Sequence, residues 1–188
     1  MYKRQDLRLH DNPALSQACA KADQVVGIYI VTFKQWEEHN DSPNKIAFWF
    51  RSLIELQKDL HKLNIPLCIL KCDTYDDCPQ KILEFASANE INNLYFNIEY
   101  PVNELKRDEQ VQAVLEKMGT SCFSFHDQVI HVPGTLKTKA GTNFSVYSPF
   151  KRCWLAELDY ALLEEHAIPT IKQPVSCLLY TSPSPRDP

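Results

Sequence analysis

The residues best suited to chemistry follow a short apolar run. After Asn93-Leu94-Tyr95-Phe96-Asn97 come Ile98-Glu99-Tyr100-Pro101-Val102-Asn103-Glu104, and a helical pattern starts at Glu104. A carboxylate in the first turn of a helix is favoured by the helix dipole. It can also accept two parallel hydrogen bonds from a guanidine-like edge, as in a carboxylate–arginine fork. The 2-aminopyrimidinone edge of a pterin is such a partner. Two readings stand side by side. Either Asn103 caps the helix and Glu104 complements its dipole, or Glu104 holds a heterocycle.

A second polar loop is Asp6-Leu7-Arg8-Leu9-His10-Asp11-Asn12. Asp11 or Asn12 would cap the helix starting at Pro13, and Arg8 would pair with a carboxylate to pin the loop. His10 has no Ser or Cys beside it in a nucleophile motif. Trp36-Glu37-Glu38-His39 offers metal-binding residue types. Adjacent glutamates point to different faces, so this stretch reads as a solvated loop. Tyr29, Tyr95, Phe96 and Tyr100, in and after strands, read as core.

Other chemistries are disfavoured. The four glycines (Gly27, Gly119, Gly134, Gly141) form neither a dinucleotide loop nor a P-loop. The seven cysteines lack the paired spacings of a zinc site. Most sit in apolar runs, where thiols act as small buried hydrophobes, and a reducing cytoplasmic setting is the simplest expectation. Lys and Arg number 20 against 24 Asp and Glu, a net charge of -4. A phosphate-backbone binder needs clustered cations instead. No apolar run reaches the roughly 18 residues of a membrane span.

The elements that would position these loops alternate. Helices are expected at Pro13 to Ala20, Asn44 to Leu63, Cys78 to Ala88 and Glu104 to Met118, and a shorter one from about Pro149 to Leu163. Strands are expected at Gln24 to Val31, Leu67 to Leu70, Asn93 to Asn97 and Ser121 to Phe125. In the second helix Ile46, Trp49, Leu53, Leu56, Leu60 and Leu63 step by three and four and share one face. Strands separated by helical crossovers predict an α/β fold, a Rossmann-like open parallel sheet with helices on both faces. Ligands of such sheets bind beyond the carboxyl ends of the strands, where both polar loops fall.

The two ends read differently from the rest. The run from Cys177 to Asp187 matches, codon by codon, a translated sequencing-library adapter, and Tyr2-Lys3-Arg4-Gln5 matches the same oligonucleotide reversed. Residues 1–5 and 177–188 are therefore expected to be adapter-derived, leaving a native segment cut from a longer gene.

Three motifs, in order, carry a family resemblance. They are Arg4-Gln5-Asp6-Leu7-Arg8-Leu9-His10-Asp11-Asn12, then Glu99-Tyr100-Pro101-Val102-Asn103-Glu104 with Arg107-Asp108, then Tyr147-Ser148-Pro149-Phe150-Lys151 before Trp154. Together they resemble the amino-terminal domain of the DNA photolyase/cryptochrome family, closest to folate-type class I cyclobutane pyrimidine dimer photolyases. Arg4-Gln5 fits both the family and the adapter.

The resemblance implies a five-stranded antenna domain over residues 6–130 and the start of an interdomain connector, with its short helix, over 131–176. It implies a 5,10-methenyltetrahydrofolate antenna contacted by Asn103 and Glu104. A separate helical domain would hold FAD and bind damaged DNA, in a monomeric protein with no membrane partner. Excited reduced flavin would split the pyrimidine dimer by electron donation. No catalytic residue or metal ligand is assigned to this chain, which alone would be inactive. The alternatives are the antenna domain of a cryptochrome-type photoreceptor and a generic pterin- or nucleotide-binding module.

Family members begin with an apolar strand where this chain has Met1-Tyr2-Lys3. That strand lies in the middle of the sheet and is expected to be largely missing. Unpaired buried backbone groups cost about 1–3 kcal/mol each, against a net stability of about 5–15 kcal/mol. The chain is expected to be unstable or to aggregate, and a sharp two-state thermal melt would contradict this.

Overall fold

The structure, a computed structural model, describes residues 6–175 and the backbone pair Tyr2–Lys3. The Cys177 to Asp187 run and the Arg4-Gln5 pair lie outside the described residues.

Five parallel strands form one sheet in the order β3-β2-β1-β4-β5. They are β1 (Tyr2–Lys3), β2 (Gly27–Thr32), β3 (Leu67–Cys72), β4 (Asn93–Asn97) and β5 (Ser121–Phe125). All six residues of β2 are buried, as expected for an inner parallel strand covered on both faces. Its register with β3 is unbroken from Gly27 opposite Leu67 to Thr32 opposite Cys72. The two residues of β1 take the middle position, Tyr2 pairing with both Ile28 and Phe96. The position of the family's first strand is thus occupied by a two-residue strand.

Helices α1 (Pro13–Lys21) and α3 (Pro43–Lys62) pack on one face of the sheet. There Leu15, Leu56 and Leu60 meet Tyr29, Val31 and Ile69. Helices α4 (Cys78–Ala88) and α5 (Val102–Glu116) cover the other, where Ile82, Phe85 and Leu115 meet Ile28, Ile30 and Phe96. Consecutive residues of β2 alternate between the two cores, as the pleat requires. Local sequence starts these helices. The Asn12 side chain accepts from the Leu15 amide and Ser42 from the Lys45 amide, each with a proline just inside the helix. At the end of α3, Asn64 takes φ 58°, the left-handed geometry that lets the chain turn back into β3.

Three expectations are corrected. The stretch Phe33–Glu38 is helical, α2, rather than a loop. Trp36 drives this by burying against Trp49 and Phe50, while Glu37 and Glu38 stay exposed. The helix expected from Pro149 to Leu163 divides into α6 (Tyr147–Ala156) and a 3-10 turn, Tyr160–Leu163, which Asp159 caps by accepting from the Ala161 amide. Helix α5 starts at Val102, so Asn103 is not its cap. Pro101 holds that position, its fixed φ of -59° leading the chain into the first turn.

Candidate functional site

The chain runs outward from β1 through β2 to β3, then crosses back to β4 and β5, so strand order reverses between β1 and β4. Both polar loops converge at the carboxyl ends of these strands, and they do different work.

The first loop is a structural lock. The Asn97 side-chain amide, at the end of β4, donates to Asp6 Oδ2 at 2.7 Å and to Asn12 Oδ1 at 3.1 Å. Its carbonyl oxygen accepts from the Ala14 amide. Arg8 donates to Asp127 Oδ1 at 2.6 Å and to the Asp11 carbonyl. Capping and pinning, as expected, account for Arg8 and Asn12. His10 lies exposed, 3.4 Å from Glu165 Oε2.

The second loop opens a site. Glu104, in the first turn of α5, is 8% exposed. Its Oε1 accepts from the Tyr75 hydroxyl at 3.2 Å. One turn along the same helix face, Arg107 is 2% exposed. It donates to Glu99 Oε2 at 3.1 Å and to Asp108 Oδ1 at 3.2 Å. The Tyr75 ring covers the Arg107 guanidinium, 4.4 Å from ring centroid to carbon, a cation–π contact.

Tyr75, Glu99, Glu104 and Arg107 line a cavity of about 180 Å³. Aromatic walls come from Tyr29 on β2, Trp36 on α2 and Trp49 on α3. At its rim Lys45 pairs with Asp41 at 2.5 Å and lies over the Trp49 ring, while Gln35 and His39 share a hydrogen bond of 2.9 Å. Burial, with help from the Glu99 charge, pushes the Tyr29 phenol up to about 12, so it stays a neutral donor. Pockets that enclose a drug-sized ligand run to roughly 300–1,000 Å³. At about 180 Å³ this one has room for no more than a small ring system.

A larger groove of about 810 Å³ lies between the Asp11 loop and the segment carrying α6. Its walls mix apolar residues, including Val129, Phe150 and Trp154, with polar ones such as His126, His131 and Glu165, and Arg8 already holds its most buried carboxylate, Asp127. The buried charged residues Glu99, Glu104 and Arg107 line the smaller cavity.

Of the two residues expected to bind a cofactor, the structure brings Glu104 to this cavity. Asn103 sits on the same turn, exposed and outside the lining. Trp36 and His39 join the lining, whereas Glu37 and Glu38 do not. Among the described residues no group of three or more His, Cys, Asp or Glu is placed to hold a metal ion. Arg107 was legible as the residue three positions after Glu104. Tyr75 had no such mark, because it arrives from the loop after β3.

The DNA photolyase family model matches residues 1–173. The chain belongs to the DNA photolyase family. It is 35% identical over 170 residues to the deoxyribodipyrimidine photo-lyase of Escherichia coli K12, covering 90% of this chain and 36% of that protein. It is 34% identical over 152 residues to the Vibrio cholerae enzyme of the same name, covering 81% and 32%. The chain thus spans about a third of the length of these photolyase relatives. Among solved structures, a Synechocystis cryptochrome superposes with a TM-score of 0.80 at 18% identity, covering 98% of this chain and 38% of that one. A class III photolyase from Agrobacterium tumefaciens gives 0.71 at 24% identity, covering 92% and 34%. These two similarities establish the photolyase-type α/β fold. No helix among the described residues is long and apolar enough to cross a membrane.

Proposed function

We propose that this chain is the antenna portion of a light-driven DNA photolyase, and that the Glu104 cavity seats a reduced folate. Residues 6–130 form the antenna domain and 131–176 begin the connector to a helical region that holds FAD and meets damaged DNA. On this reading the light-driven reaction requires that helical region. The relatives at 35% and 34% identity are deoxyribodipyrimidine photo-lyases, which supports repair over a cryptochrome-type photoreceptor.

The observation that carries the proposal is Glu104 itself. It is buried, sits at the positive end of α5, and opens onto an aromatic cavity at the switch point of the sheet. Its carboxylate meets the 2-amino and N3 donors of a pterin in a two-bond fork. Trp36, Trp49 and Tyr29 wall the ring and exclude water. Asn103, one residue earlier and exposed, and Lys45 at the rim face the part of the ligand left outside. When bound, 5,10-methenyltetrahydrofolate supplies near-ultraviolet absorption for transfer to the flavin.

Titration of the chain with 5,10-methenyltetrahydrofolate, followed by the absorption of the bound fraction after dialysis, tests this. Glu104→Gln should weaken binding about tenfold or more, the worth of a hydrogen bond to a charged group. Equal binding by the wild type and the variant would refute the role of Glu104.

A further inference from the structure

A fork to a pterin works only if the Glu104 carboxylate presents both oxygens to the cavity in one plane. What fixes that plane does not come from α5. Tyr75 belongs to the 3-10 turn Tyr75–Asp77 between β3 and α4, and its hydroxyl donates to Glu104 Oε1. That turn is itself held, because Asp77 accepts from both the Thr74 amide and the Thr74 hydroxyl at 2.9 Å. The Tyr75 ring rests on Arg107, and Arg107 is tied to Glu99 and Asp108 in the buried base of the site. The hydroxyl therefore stands at the end of a chain of contacts rooted in the core. A carboxylate oxygen has about two lone-pair positions. Oε1 can accept from Tyr75 and still take one ligand N–H while Oε2 takes the other.

Resting on the reading of Glu104 above, we infer that Tyr75 is a positioning residue that orients the Glu104 carboxylate toward a 2-amino-4-oxopyrimidine edge, with Arg107 as the platform for its ring. The consequence is selectivity. The site favours heterocycles that carry the 2-amino donor over those that carry a carbonyl oxygen in its place.

The test uses the full chain and two small probes, pterin and lumazine, which differ in that group. Affinities are read by fluorescence, and the induced circular dichroism of bound pterin reports its orientation. The wild type should prefer pterin about tenfold, and Glu104→Gln should erase the preference. Tyr75→Phe, which keeps the ring on Arg107, should cut the preference to about threefold and alter the induced dichroism, with the thermal midpoint little changed. If Tyr75→Phe weakens both probes equally, the residue only supports the fold and the inference fails. If the preference is lost in Glu104→Gln but intact in Tyr75→Phe, the assignment of Tyr75 fails alone. Absence of any preference in the wild type, or its survival in Glu104→Gln, overturns the reading of Glu104 and this inference with it.

Discussion

Arg8 and Asp127 lie 119 positions apart in the chain and meet at 2.6 Å. Their contact ties the loop before α1 to the segment that follows β5. Burial raises the Asp127 carboxyl above its ordinary value, and the Arg8 guanidinium offsets part of that rise. A carboxyl with a raised folded-state value contributes stability that is present below its unfolded value, near 3.8, and lost as pH rises through the folded value.

Arg8→Ala removes the cation that favours the charged carboxylate, so its cost should be larger at neutral pH than in acid. At neutral pH a loss of about 1–2 kcal/mol is expected. This is reduced from the 3–5 kcal/mol of a fully buried pair because the Arg8 side chain is 41% exposed. Urea denaturation of the wild type and the variant at both pH values checks it. An equal loss at both would contradict the assignment.

Tyr29 should be silent in an alkaline titration until about pH 12, because burial and the Glu99 charge both oppose the phenolate. Its contribution to stability is complete below about pH 10 and lost as pH rises through about 12. Absorbance of ionised tyrosine, compared between the wild type and Tyr29→Phe, isolates the step. A step near the ordinary phenol value would show that Tyr29 is not buried as described.

Gly27 opens β2 beside Leu67 of β3 and Leu60 of α3. A methyl group there would lie 3.0 Å from Leu67 Cδ1 and 3.6 Å from Leu60 Cδ1. Leu67 is buried within β3, so the crowding has little room to relax. Gly27→Ala should destabilise by about 1–3 kcal/mol, the usual cost of overpacking. A thermal midpoint at or above that of the wild type would show that the core yields more easily than its packing suggests.

Much of the fold was legible because its determinants are local. The β-branched run ending at Val31, the three-four spacing from Ile46 to Leu63 and the prolines at helix starts each act within one element. The expected bounds of α4, β4 and β5 coincide with the observed ones. Helix α2 escaped because its determinant is tertiary. Its two glutamates look like a solvated loop until Trp36 is seen packed on Trp49 and Phe50.

The site divides along the same line. Sequence alone determined that a carboxylate, Glu104, stands in the first turn of the helix after the Asn93–Asn97 strand, since that depends on residue order and helix periodicity. Only the tertiary structure decided that Tyr75 reaches it, that Arg107 lies beneath Tyr75, and that Trp36 and Trp49 close the walls. Tyr75, Trp36 and Trp49 come from elements distant in sequence from Glu104, while Arg107 shares α5 with it. They meet because a parallel sheet gathers the carboxyl ends of all its strands along one edge.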